Sequence, residues 1–134
     1  MSNKIKSPWL AGSEVVLVVD DDPRVRSLIC RQLRQLGYFV LEAENGEHAL
    51  AVLAQYDGPT HAIVTDMVMP QMGGAALIQL LQDSYPKLAI LVVSSFGEDL
   101  LEATDVKRPG VTYVSKPFDS EALARTLRNM LDAA

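Results

Sequence analysis

This chain has one cysteine, no apolar run long enough to cross a bilayer and no excess of positive charge, and each absence removes a class of explanation. With Cys30 alone there is no internal disulfide and no cysteine pair to hold a metal, so nothing implies an oxidising compartment. Cys30 itself reads as a small residue on a helix flank. Twelve Lys and Arg stand against seventeen Asp and Glu, and a net charge of −5 has the wrong sign for a nucleic-acid backbone. Arg24, Arg26, Arg31 and Arg34 do share one segment, but they are spread around a helix and read as solvated surface, with partner docking as the alternative. The longest apolar runs, Val15–Val19 and Leu88–Val93, are far too short to span a membrane. Residues 1–13 lack the continuous apolar core of a signal peptide. We therefore expect a soluble, cytoplasmic protein.

What is present is the composition of an ordinary globular domain, 49% hydrophobic and 22% charged over 134 residues, with no repeat or low-complexity stretch. Residues 1–13 read as a flexible N-terminal tail, in which Trp9 and Leu10 are expected to be disordered, and 14–134 as one domain. Val15–Val19 is continuously apolar and rich in β-branched residues, as suits a strand buried on both faces. Pro23 then stands at a first helical turn, Val25, Leu28, Ile29, Leu33 and Leu36 follow at helical spacing, and Gly37 is a natural stop. Further strands are predicted at 38–42, 61–65, 88–93 and 111–115. Further helices are predicted from Ala49 to near Tyr56, over 74–83, weakly over 97–107, and after a cap at Asp119 to about Leu131. Asn45-Gly46 reads as a turn. Five alternations of strand and helix predict an α/β fold, a doubly wound five-stranded parallel sheet with helices on both faces.

The polar residues fall where such a sheet binds ligands. Asp20 and Asp21 follow the first strand, Asp66 the third, Ser94 the fourth and Lys116 the fifth, so all gather at one carboxyl edge. Crowded carboxylates repel one another unless a cation neutralises them, and Mg²⁺ or Mn²⁺ suits an all-oxygen set. A hydroxyl and an ammonium beside them suit a phosphoryl group. The alternative for Asp20–Asp22 is a polar turn before a helix, where negative charge is favourable. Asp66, flanked by apolar residues, is harder to explain as surface.

Four motifs carry a resemblance: Val-Leu-Val-Val-Asp-Asp-Asp-Pro, Val-Thr-Asp-Met-Val-Met-Pro-Gln-Met-Gly-Gly, Val-Val-Ser-Ser and Tyr-Val-Ser-Lys-Pro-Phe. By these motifs, in order and spacing over residues 14 to about 132, the chain resembles a response-regulator receiver domain of two-component signalling. The resemblance implies a flavodoxin-like fold with strand order 2-1-3-4-5. It implies Asp66 as phosphoacceptor, Asp21 as direct metal ligand, Asp20 acting largely through water, and the Val68 carbonyl as a third protein ligand for Mg²⁺ or Mn²⁺. It further implies Ser94 and Lys116 on the phosphoryl oxygens, Tyr113 as an aromatic switch beside Ser94, and a cis Lys116–Pro117 bond. The expected donor is a sensor histidine kinase or histidine phosphotransfer protein. The expected output is binding of an unknown downstream protein by the face of the fourth helix, fifth strand and last helix, as a monomer or a phosphorylation-linked dimer. Such a protein is a phosphoacceptor switch that assists its own phosphorylation and slow dephosphorylation, not a separate enzyme.

Two other readings compete. A magnesium-dependent aspartyl-phosphate phosphatase would need a second acid two residues after its acceptor, and Val68 stands there. A receiver piece of a larger hybrid kinase fits the same motifs. His48 and His61 lie outside the motif pattern and read as structural, and Met67, Met69 and Met72 as packing around Pro70. Ser95, Gln71 and Gly73 depart from the usual residues of the family, and Arg108-Pro109-Gly110 is expected to shorten the helix before it. Val68 and Phe96 flank the expected phosphoryl group without an amide or acid to orient water, so slow loss of phosphate is expected. Replacing Val68 with Asn or Glu is expected to shorten the lifetime of the phosphorylated protein, followed by intact mass over time; an unchanged lifetime would count against a tuning role for this position.

Overall fold

A computed structural model describes residues 11–66, 74–94, 110–115 and 119–133. The strands are β1 (Val15–Val19), β2 (Phe39–Ala43), β3 (Ala62–Asp66), β4 (Ala89–Ser94) and β5 (Val111–Ser115). The helices among the described residues are α1 (Pro23–Gln35), α2 (Gly46–Gln55), α3 (Gly74–Ser84) and α4 (Ser120–Ala133). All strand pairs are parallel, in the order β2-β1-β3-β4-β5. This is the expected flavodoxin-like sheet. The expected helix over 97–107 lies outside the described residues, as does the Lys116–Pro117 bond. No helix among the described residues is long and apolar enough to cross a membrane.

The central strand explains the layering. Every residue of β1 is buried, and its side chains alternate between two cores. Val16 and Val18 join Ile29, Cys30 and Leu33 of α1 and Leu123, Ala124 and Leu127 of α4. Leu17 and Val19 join Ala49 and Leu53 of α2 and Leu77, Ile78 and Leu81 of α3. Complete burial of such a side chain is worth about 1.5–3 kcal/mol, which makes this strand the hydrophobic axis of the domain. Cys30, expected on a helix flank, is instead part of the first core. Leu28, expected on the packed face, is 41% exposed, because Ile29 and Leu33 already fill the stripe facing the sheet.

Helix ends follow their local chemistry. The Asp22 side chain accepts from the Arg24 N–H at 2.9 Å and caps α1, with Pro23 in its first turn. At the other end Gly37 takes φ +101°, its N–H donates to the Arg34 carbonyl and the Tyr38 N–H to the Leu33 carbonyl. That last bond assigns Tyr38 to the helix terminus, which is why β2 begins one residue later than the pattern predicts. Asn45-Gly46 is a helix start: Asn45 Oδ1 accepts from the His48 N–H at 2.8 Å, so α2 begins before Ala49. Asp119 Oδ1 accepts from the Glu121 N–H at 3.2 Å, as expected of a cap.

The amino edge of the sheet is closed by one guanidinium. Arg128 of α4 donates from Nη1 and Nη2 to the two carboxylate oxygens of Glu14, and from Nη1 to the Tyr38 hydroxyl and the Ala11 carbonyl. A side chain at Gly12 would collide with the Tyr38 ring and Arg128, so a glycine is required beside this clasp. The Arg128 hydrogen bond holds the Glu14 carboxyl down at about 2, against an ordinary 4.5. A carboxyl with a depressed folded-state pKa adds stability that is complete above its unfolded value and is lost as pH falls through the folded one. Glu14→Gln is therefore expected to cost on the order of 1 kcal/mol near neutral pH, allowing for partial exposure, with the difference shrinking as pH falls toward 2 and vanishing below it. Denaturant unfolding at several pH values checks this, and a pH-independent difference would contradict it.

Candidate functional site

The chain order of the sheet creates the site. From β1 the chain passes to β2 on one side and then returns to β3 on the other, so the winding reverses at β1. Loops after the two strands flanking such a reversal part and leave a crevice at the carboxyl edge. Val19 is in register with Thr65, which sets the next residues, Asp20 and Asp66, side by side across that crevice. Oxygen atoms of Asp20, Asp21 and Asp66 lie within 4.8 Å of one another.

These acids differ in setting. Asp20 is 2% exposed, Asp66 is half-buried and Asp21 is exposed. Asp20 Oδ1 accepts from the Asp22 N–H at 2.9 Å, its own N–H donates to the Ala43 carbonyl at 3.2 Å, and its carbonyl accepts from Arg26 Nη1 at 2.7 Å. Thr65, also buried, donates from Oγ1 to the Asp66 carbonyl at 3.0 Å. An all-carboxylate set of this spacing suits a hard divalent cation with oxygen ligands, and Asp20, Asp21 and Asp66 could hold one.

Other expected site residues divide into two groups. Ser94 closes β4, opposite Ser115 of β5, and Tyr113 is half-buried two residues before Ser115, packed against the core formed with α2 and α3. Lys116, Val68 and Phe96 lie outside the described residues, as do Ser95, Gln71, Gly73 and the methionines of the loop after Asp66. His48 Nδ1 accepts from the Glu44 N–H at 3.1 Å, and His61 Nδ1 from the Val15 N–H at 3.0 Å, so both serve the backbone. Burial pushes the Cys30 thiol up to about 11, which keeps it protonated and unreactive.

One contributor escapes the sequence pattern. Arg26, grouped with three other arginines as solvated surface, is only 19% exposed at its side chain and bonds the backbone of Asp20. Its position one turn inside a helix that starts at the acids is the available signal.

Comparison with known proteins agrees with this architecture. The family model for the response regulator receiver domain matches residues 16–128, and the chain belongs to that family. It is 34% identical over 127 residues to the sensor kinase CckA of Brucella abortus (strain 2308), covering 95% of this chain and 13% of that one. It is 32% identical over 121 residues to the probable transcriptional regulator ycf27 of Pyropia yezoensis, covering 90% and 49%. The chain thus spans half or less of the length of these curated relatives. Among solved structures, the receiver domain of the hybrid histidine kinase CckA superposes with a TM-score of 0.74 at 30% identity, over 87% of this chain and 98% of that one. The protein is a receiver domain of two-component systems, a family of phosphoacceptor switches.

Three carboxylates at this spacing repel one another in the absence of a cation. Asp21→Asn is expected to raise the metal-free melting temperature by a few degrees, and to lack the further rise expected of the wild type if the three acids take up Mg²⁺. Thermal unfolding with and without Mg²⁺ checks both; a variant that still gains stability from Mg²⁺ as the wild type does would remove Asp21 from the cation site.

Proposed function

We propose that Asp66 accepts a phosphoryl group from a phosphohistidine on a sensor histidine kinase or phosphotransfer protein, with Mg²⁺ or Mn²⁺ held by Asp20, Asp21, Asp66 and the Val68 carbonyl. The observation that carries this reading is the pairing of Asp66 with the buried Asp20 across the β1–β3 crevice, with Asp21 beside them. Similarity to the receiver of a hybrid histidine kinase supports the class of donor. When bound, the cation supplies charge neutralisation for the crowded acids and the incoming phosphoryl group.

The roles of the chain's own residues follow from charge. The Asp66 carboxylate attacks phosphorus in line; the new O–P bond forms as the P–N bond breaks, and the imidazole nitrogen keeps the electron pair. Lys116 and the Ser94 hydroxyl hold phosphoryl oxygens. Ser94 then moves toward the phosphoryl group, and Tyr113 takes the vacated space, remodelling the face made by the helix expected over 97–107, β5 and α4 that a downstream protein reads. The domain comprises residues 14–134, and of the preceding segment 1–13 the last part, Ala11 and Gly12, is tied to it by Arg128 and the Leu36 carbonyl. Catalysis here is positioning and electrostatics, so the receiver assists its own phosphorylation; with Val68 and Phe96 offering no amide or acid to orient water, it loses phosphate slowly.

Intact-mass analysis after incubation with acetyl phosphate and Mg²⁺, run beside Asp66→Asn, tests the reading. One added phosphoryl group in the wild type only, absent when the metal is chelated, is the expected result. An adduct that persists in Asp66→Asn would overturn the assignment, and so would the absence of both adduct and released phosphate in the wild type.

A further inference from the structure

Both peptide groups flanking the Asp20 Cα are held, the Val19–Asp20 N–H by the Ala43 carbonyl and the Asp20–Asp21 carbonyl by Arg26. The same Arg26 guanidinium reaches Glu42 Oε1 through Nε at 3.4 Å. The other oxygen of Glu42 accepts from Arg34 Nη2 at 3.2 Å, and Arg34 also donates to the Val40 carbonyl at 3.1 Å. Glu42 belongs to β2, in register with Val18, immediately beside the end of β1. Arg26 is therefore braced from the outer strand and directed at the backbone of the acid pair.

We infer that Arg26 is a positioning residue for the cation site: by holding the Asp20 carbonyl it fixes the plane of the Asp20–Asp21 peptide and so aims the Asp21 carboxylate into the crevice. The inference rests on the cation site proposed above and adds a residue to it. A peptide group is planar, so fixing its oxygen also fixes the N–H that begins Asp21. Groups that orient metal ligands from outside the ligand set commonly control affinity by one to two orders of magnitude.

Simple electrostatics predicts the opposite sign. A guanidinium near a cation site repels the cation, and its removal would tighten binding. Positioning predicts that removal weakens binding. Arg24 serves as the control, since it carries the same charge on the same turn of α1 and its side chain is 93% exposed.

The experiment measures Mn²⁺ affinity of the full chain from the electron paramagnetic resonance signal of the free ion, for wild type, Arg26→Ala, Arg26→Lys and Arg24→Ala, with the metal-free melting temperature of each. Arg26→Ala is expected to bind about tenfold more weakly, Arg26→Lys about threefold more weakly because it keeps the charge and loses the fork, and Arg24→Ala as the wild type. Affinity in Arg26→Ala equal to or tighter than wild type overturns the inference, even if that variant melts earlier. If Arg26→Ala does not fold, Arg26→Lys decides, and wild-type affinity there overturns it. A wild type that fails to bind Mn²⁺ at millimolar concentration would sink the cation site itself, an outcome separate from a loss confined to the Arg26 comparison.

Discussion

The structure depends on a charged residue at the end of a wholly apolar strand. β1 is buried throughout, and the next residue is Asp20, with almost no exposure to water. A carboxylate in that place is costly unless hydrogen bonds or opposite charge surround it. The Asp22 N–H supplies one bond directly, and the backbone around Asp20 is tied to β2 and α1. The start of α1, the position of β2 and the geometry of the acids are thus solved together.

That arrangement sets stability against function. Residues chosen for stability alone would not crowd three carboxylates into one crevice, where like charges within 4.8 Å repel one another. The hydrophobic cores on the two faces of the sheet supply the stability that this crowding removes. The site is therefore a place where local and global preferences disagree, and such disagreement in an otherwise consistent sequence is a sign of function.

Much of this is legible in the sequence. Val15–Val19 announces a doubly buried strand, and the acids, hydroxyl and lysine at strand ends announce the carboxyl edge. Strand boundaries slip by one residue where a backbone N–H is claimed by a neighbouring element, as at Tyr38. Asn45-Gly46 looks like a turn because an N-cap and a turn use the same residues, and only the bond to the His48 N–H separates them. Arg26 is hidden for a different reason: a helical arginine reads as solvated until the strand beside it, with Glu42, is known. Periodicity reports which face is apolar, but not which polar side chain finds a backbone carbonyl across space.

The clasp at the opposite edge has a mechanical meaning. Ala11 and Arg128 are 117 positions apart in sequence, yet a single hydrogen bond joins them, so the segment leading into β1 and the last helix meet at one place. Tension applied between those two points would act on the Arg128–Glu14 clasp and on the bond from the Gly12 N–H to the Leu36 carbonyl. The crevice lies at the opposite, carboxyl end of the same strands, so the length of β1 separates the clasp from the acids.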